Sequence, residues 1–152
     1  LRGMDLNRNW DRPADALLAP ENAALEKWLE AQIAAGQRPD LMLDFHNDAG
    51  GRLHVSRPDM QPAALEAYLA RMEHLEKVLR QHTWFTEGST HSTFRNPGSI
   101  GEGLLARYGI AAVGHELNAN WIAGLDDYPT AEHWRRYGEQ IAEAFYHYFD
   151  AP

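Results

Sequence analysis

Cysteine is absent from the chain, and that one gap removes disulfides, thiol nucleophiles and thiolate metal ligands together. No apolar run approaches the ~20 residues that carry a helix across a bilayer, and no signal-peptide pattern is present, so the sequence argues against a membrane partner. Basic clusters are missing too. The 14 Lys and Arg residues are dispersed among 22 Asp and Glu, for a net charge of -8, which argues against nucleic acid as a partner. Internal repeats, low-complexity tracts, a P-loop, an HExxH helix and a GxSxG elbow are all lacking. The absent cysteines and signal peptide lean toward a reducing, cytoplasmic setting. What remains is an ordinary globular composition, 44% hydrophobic and 24% charged over 152 residues, enough for a single domain with its own core.

Helical and strand patterns alternate along the chain. Pro20 followed by Glu21–Leu29 predicts a helix ending before Gly36, with an inward face of Leu25, Trp28, Leu29 and Ile33. Asp40–His46 reads as a short buried strand by its apolar run, and Arg52–Ser56 as a second strand after Gly50-Gly51. Pro62 opens a longer helix in which Leu65, Leu69, Met72, Leu75, Val78 and Leu79 recur at helical spacing. Residues 83–98 are rich in Thr, Ser, Gly, Asn and Pro and predict a long exposed loop. Ser99 and Glu102 form a capping-box pattern for a short helix to about Tyr108, which Gly109 ends. The apolar strand Ile110–Leu117 follows. Thr130 caps a last helix carrying Trp134, Tyr137, Ile141, Phe145 and Tyr148 on one face. This order predicts an α/β layered domain with helices covering a mostly buried sheet.

Three places could carry chemistry. His46 lies at the carboxyl end of a strand, where open α/β sheets bind ligands, and is followed by Asn47-Asp48 and two glycines. It is either a hydrogen-bonded strand-end histidine or a metal ligand, and Asp44 shares its side of the strand as a partner for the second ring nitrogen. Glu116 closes the apolar strand and is either a carboxylate emerging at the sheet's end or a general base whose pKa is raised by partial burial. His115 faces the other way and reads as a packed residue. Arg8, within Asp5-Leu6-Asn7-Arg8-Asn9-Trp10, is either a loop arginine paired with a carboxylate or one arm of an anion clamp, with the Asn7 amide as the other. The histidines at 54, 74, 82, 91, 133 and 147 show no familiar ligand spacing and read as surface or helix-face residues. Gly101-Glu102-Gly103 loosely echoes a dinucleotide fingerprint, but no strand precedes it and capping already accounts for it.

Taken in order, Asp5–Trp10, the strand ending at His46 and the strand ending at Glu116 resemble the zinc carboxypeptidases of the carboxypeptidase A type, the M14 metallopeptidases. The resemblance implies a three-layer fold with helices on a mixed, mostly buried β-sheet. It implies zinc as cofactor, His46 as a zinc ligand, and Glu116 as the base that activates water. It further implies Asn7 and Arg8 as the clamp on a substrate's terminal carboxylate, and Asp5 as the carboxylate behind another zinc histidine. The family also supplies a tyrosine from a closing loop; here Phe94 stands nearest that position, and Ile100 falls near the side-chain pocket. The family's remaining zinc ligands come from an His-x-x-Glu motif that does not occur in this sequence. The expectation is therefore the C-terminal portion of a carboxypeptidase-like catalytic domain, residues 1–152, with the other ligands upstream of Leu1 and little activity on its own. The expected activity is hydrolysis of a C-terminal peptide bond, on a peptide or N-acyl amino acid bearing a free carboxylate. The alternatives are an aspartoacylase-type zinc amidohydrolase and a metal-free binding module that keeps the carboxylate clamp.

Overall fold

A computed structural model describes residues 4–90 and 96–150 of the chain. In order, the elements are α1 (Pro20–Ala34), β1 (Leu41–Asp48), β2 (Leu53–His54), α2 (Pro62–His82), α3 (Ile100–Tyr108), β3 (Ala111–Asn118) and α4 (Ala131–Asp150). The sheet order is β1-β3-β2, with β1 parallel and β2 antiparallel to β3. Because side chains alternate across a strand, β3 feeds two cores. Ala111 and Val113 pack with Leu53, Val55 and the inward faces of α2 and α4. Ala112 packs with Ile110, Trp10, Leu29 of α1 and Ile100 and Leu104 of α3. The result is the expected three-layer arrangement: α2 and α4 on one side of a mixed sheet, α1 and α3 on the other.

The capping chemistry explains where most helices start and stop. Pro occupies the first turn of both α1 and α2, where its missing N–H costs nothing. Gly109 ends α3 at φ 65°, in the left-handed region that favours glycine. Thr130 caps α4: its Oγ1 accepts from the His133 N–H at 3.3 Å, while His133 Nδ1 accepts from the Thr130 N–H at 3.2 Å. This is a capping box with a histidine in the reciprocal position. At α3 only half of the expected box forms. Ser99 accepts from the Glu102 N–H, whereas the Glu102 carboxylate accepts from the Asn96 N–H at 3.2 Å instead of from Ser99. The Ser99 N–H is already donated to the Asn96 carbonyl at 3.0 Å.

Four expectations need correcting, the first being the exposed loop at 83–98: among its described residues Phe85 and Ser89 are buried, and the backbone at 88 and 90 pairs with Leu53. The inward face of α1 is Asn22, Glu26 and Leu29, with Ile33 packed beside them, while Leu25 and Trp28 lie on the surface. Polar side chains take the inward positions because they serve buried backbone. Asn22 donates to the Leu6 carbonyl at 2.9 Å, and Glu26 accepts from the Ala14 N–H at 2.8 Å while pairing with Arg107. The β1 strand extends to Asp48 and is half-buried at first and exposed from Phe45 onward, because it lies at the sheet's edge. The second strand shrinks to Leu53–His54; Val55 and Ser56 are buried beyond it, and Val55 trades hydrogen bonds with the Thr90 hydroxyl rather than with β3.

One glycine fixes how the opening segment meets the fold. A Cβ at Gly103 in α3 would lie 2.5 Å from the backbone carbonyl of Trp10, so only glycine allows Trp10 to pack directly on the helix.

Candidate active site

The face of the sheet toward α3 carries the candidate site residues. The parallel register pairs His46 with Glu116 and Asp44 with Gly114, and the antiparallel register pairs His54 with Gly114. A cleft at the carboxyl ends of β1 and β3 is therefore lined by Asn7, Asp44, His46, His54, Ile100 and Glu116. Both strand-end residues singled out from the sequence, His46 and Glu116, lie in it.

The segment before α1 is docked into this cleft by its backbone and by Asn7. Trp10 donates its N–H to the Gly98 carbonyl at 2.9 Å and its indole N–H to the Leu6 carbonyl at 2.8 Å. Asn7 Oδ1 accepts from the Ile100 N–H at 2.8 Å, satisfying one of the donors that every helix leaves bare at its start. That bond orients the amide, so Asn7 Nδ2 turns inward to Asp44 Oδ2 at 3.1 Å, 2.9 Å from His46 Nε2. Asn9 takes a φ of 64°, a conformation asparagine tolerates better than most residues.

Asp44 Oδ2 is 2.7 Å from His46 Nε2. Asn7 Nδ2 approaches the same ring nitrogen at 2.9 Å, so the two side chains together fix the orientation of the imidazole. Asp44 is the expected neighbour of His46, and a carboxylate on one ring nitrogen is how a ligating histidine is normally held. Glu116 is partly buried, and its pKa is raised, first by desolvation and then by the Asp48 carboxylate, with His46 and His54 pulling it back. His54 Nε2 is 3.7 Å from Glu116 Oε1. Asp48, His54 and Glu116 each offer a ligand atom, all within 4.8 Å of one another. Asp48 is fixed by its own turn, accepting from the Gly50 and Gly51 N–H groups at 2.7 and 2.6 Å.

An imidazole and two carboxylates converging at this spacing are donors that suit zinc, and the His46 imidazole stands opposite Glu116 in the strand register. The fit rests on His46, whose Nε2 is anchored by Asp44, and on the carboxylate-rich wall formed by Glu116 and Asp48 beside it.

Of the other sequence-derived residues, Arg8 and Asp5 lie nearby but outside the cleft. Arg8 is exposed, donates to the Asn7 carbonyl at 2.6 Å and lies 3.6 Å from Asp5. Its side chain lines a separate hollow with Trp10, Pro13 and Asp15. Asp5 accepts from the Asn7 N–H at 2.9 Å, so it braces the loop. Ile100 is buried in the cleft wall. Phe94 lies outside the described residues. His115 is buried against α4 as expected, 2.7 Å from the Tyr137 hydroxyl, and burial lowers its pKa to about 4.

His54, read from the sequence as a surface or helix-face residue, lies in the cleft, and Asp48, whose role the sequence reading missed, stands beside it and Glu116. Alternation from the buried Leu53 and Val55 puts His54 on the opposite face, and alternation from His46 brings Asp48 to its side. Those signals were present, but the pairing of β2 with β3 that carries His54 to Glu116 was not.

No family model and no curated protein matches the chain in sequence. Among solved structures it is similar to a metallo-carboxypeptidase from Burkholderia cenocepacia, at TM-score 0.72 and 20% identity, over 98% of this chain and 39% of that one. It is also similar to a protein assigned as a carboxypeptidase from Burkholderia mallei ATCC 23344, at TM-score 0.66 and 18% identity, over 99% of this chain and 40% of that one. The chain thus spans about 40% of the length of these neighbours. Among the described residues no helix is long and apolar enough to cross a membrane. Over the part that it spans, the chain has the fold of the metallo-carboxypeptidases.

Proposed function

We propose that this chain is the C-terminal portion of the catalytic domain of a zinc-dependent carboxypeptidase, one that hydrolyses a peptide bond at a free C-terminus. The observation that carries the reading is the pairing of His46 with Glu116 across one cleft, with Asp44 holding the His46 ring. In this reading His46 would hold the metal, and the remaining ligands would come from sequence upstream of Leu1. When bound, zinc polarises the scissile carbonyl and lowers the pKa of water. Glu116 takes a proton from the attacking water as its oxygen bonds to the carbonyl carbon. It delivers that proton to the amine nitrogen as the C–N bond breaks. A carboxylate with a raised pKa takes the proton more readily than an exposed one, and being nearer neutrality it still gives it up to the more basic amine.

Asn7 and Arg8 position the substrate's terminal carboxylate. The Arg8 pair with Asp5 is long and solvent-exposed, so little opposes a swing of the guanidinium toward a better anion. Asp5 orients this loop through the Asn7 N–H. The test compares free-acid with amidated peptides, and peptides with N-acyl amino acids, on the protein expressed from its whole gene. Cleavage of the free-acid peptide that falls on amidation, with Arg8→Ala removing the difference, supports the reading. Cleavage confined to N-acyl amino acids would favour an amidohydrolase, and clamp-dependent binding without turnover or zinc would favour a binding module.

A further inference from the structure

A second set of metal-type donors lies away from the cleft, where the end of α2 meets α4. His82 is the last residue of α2, while Glu143 and His147 stand one turn apart on the same face of α4. Glu143 Oε1 is 3.9 Å from His82 Nδ1 and 4.0 Å from His147 Nε2. These distances are too long for hydrogen bonds, yet they converge on one carboxylate oxygen. The two imidazole rings stack at 4.0 Å between centroids and 17° between planes. The stack holds the two rings side by side, with Glu143 reaching a nitrogen of each. One ligand atom from each of the three residues lies within 4.8 Å of the other two.

We propose that His82, Glu143 and His147 form a binding site for a zinc-type divalent transition metal that staples the end of α2 to α4. Two imidazole nitrogens and one carboxylate oxygen are the donors that select such an ion over calcium or magnesium. Tetrahedral zinc at ordinary bond lengths holds neighbouring ligand atoms about 3.3 Å apart. Closing from the observed spacing takes small side-chain rotations, which the exposed Glu143 and His147 can make without moving backbone. His82 and His147 both lie in the last turn of their helices, where the helix dipole favours positive charge. The exposure of Glu143 and His147 leaves the fourth position to water. None of these residues belongs to the cleft, so this site stands or falls independently of the carboxypeptidase reading.

The test is a titration of the protein with zinc chloride, read by NMR at the individual histidine rings and by thermal melting. The His82 and His147 resonances should shift together and saturate. The melting temperature should rise by about 5–11 °C at zinc a hundredfold above the dissociation constant. Glu143→Gln with His147→Gln should abolish the His82 shift and most of the rise, with His46 and His54 responding as before. His82→Gln provides a second variant, and circular dichroism checks that each stays folded. Rings at positions 82 and 147 unmoved by a large excess of zinc would overturn the proposal, as would a thermal shift equal in wild type and variants.

Discussion

The buried ion pair between Glu26 and Arg107 offers a sharp test of how the opening segment is held. The two side chains are 8% and 16% exposed and in direct contact. Arg107 also donates to the Trp10 and Arg12 carbonyls at 3.2 and 3.0 Å, and Glu26 accepts from the Ala14 N–H at 2.8 Å. One pair therefore ties α1, α3 and the chain from Trp10 to Ala14 together. Glu26→Ala removes the partner of a largely buried guanidinium, a loss that typically costs about 3–5 kcal/mol. Two carbonyls still accept from Arg107, which puts the cost near the lower end, while the orphaned Ala14 N–H adds about 1 kcal/mol. A total of about 4 kcal/mol corresponds to a melting temperature lower by about 8–16 °C for a chain of this size. Denaturant melts on Glu26→Ala, and on Glu26→Met, Arg107→Met and their double variant as a cycle, would measure it. The double variant should lose clearly less than the two single losses summed, because it leaves no buried charge behind. Arg135, which pairs with Glu132 and Glu139 on the exposed face of α4, is the control. Its replacement by Ala should hardly move the midpoint. If Glu26→Ala is no more damaging than Arg135→Ala, the account of the buried pair is wrong.

Three further outcomes are expected. His115, whose folded-state pKa is lowered by burial to about 4, binds fewer protons folded than unfolded. Its contribution is complete above pH ~6.5 and is lost as pH falls toward 4, about 3 kcal/mol in all; urea melts against pH should show this decline, and His115→Phe should flatten it. Gly103→Ala should destabilise by roughly 1–3 kcal/mol, because its Cβ would collide with the Trp10 backbone; a wild-type midpoint would show that the contact yields freely. Asp44→Asn should weaken metal affinity at His46 by about 10–100-fold, read by zinc competition in the protein expressed from its whole gene; unchanged affinity would count against Asp44 as the group that holds the His46 ring.

Local chemistry was legible where it is short-ranged. Pro20, Pro62, Thr130 and Gly109 mark helix ends through their own backbone preferences, and the 3.6-residue spacing of Met72, Leu75 and Leu79 fixes the inward face of α2. The face of α1 was misread because hydrophobicity alone ranks Leu25 and Trp28 above Asn22 and Glu26. The inward choice depends on distant groups, the Leu6 carbonyl and the Arg107 guanidinium, which the helix's own sequence does not reveal. The site divides in the same way. His46, Glu116 and Asp44 were readable as strand-end residues on one face of each strand. That β1 and β3 lie side by side with position 46 opposite 116 is a long-range pairing across a parallel crossover. The arrival of His54 beside Glu116 depends on a two-residue strand too short to carry a periodic signal. Arg8 was readable as a loop arginine, but not its fold-back onto Asp5 and the Asn7 carbonyl.

The most direct measurement of the central claim is zinc content and peptide hydrolysis in the protein expressed from its whole gene, wild type beside Glu116→Gln and His46→Ala. The expected result is one zinc at the cleft and release of a C-terminal residue in the wild type. Glu116→Gln should keep the cleft zinc and lose at least ~100-fold in rate, and His46→Ala should lose the cleft zinc and the rate. Full turnover in Glu116→Gln, or zinc and activity undiminished in His46→Ala, would contradict the roles assigned to the two strand ends.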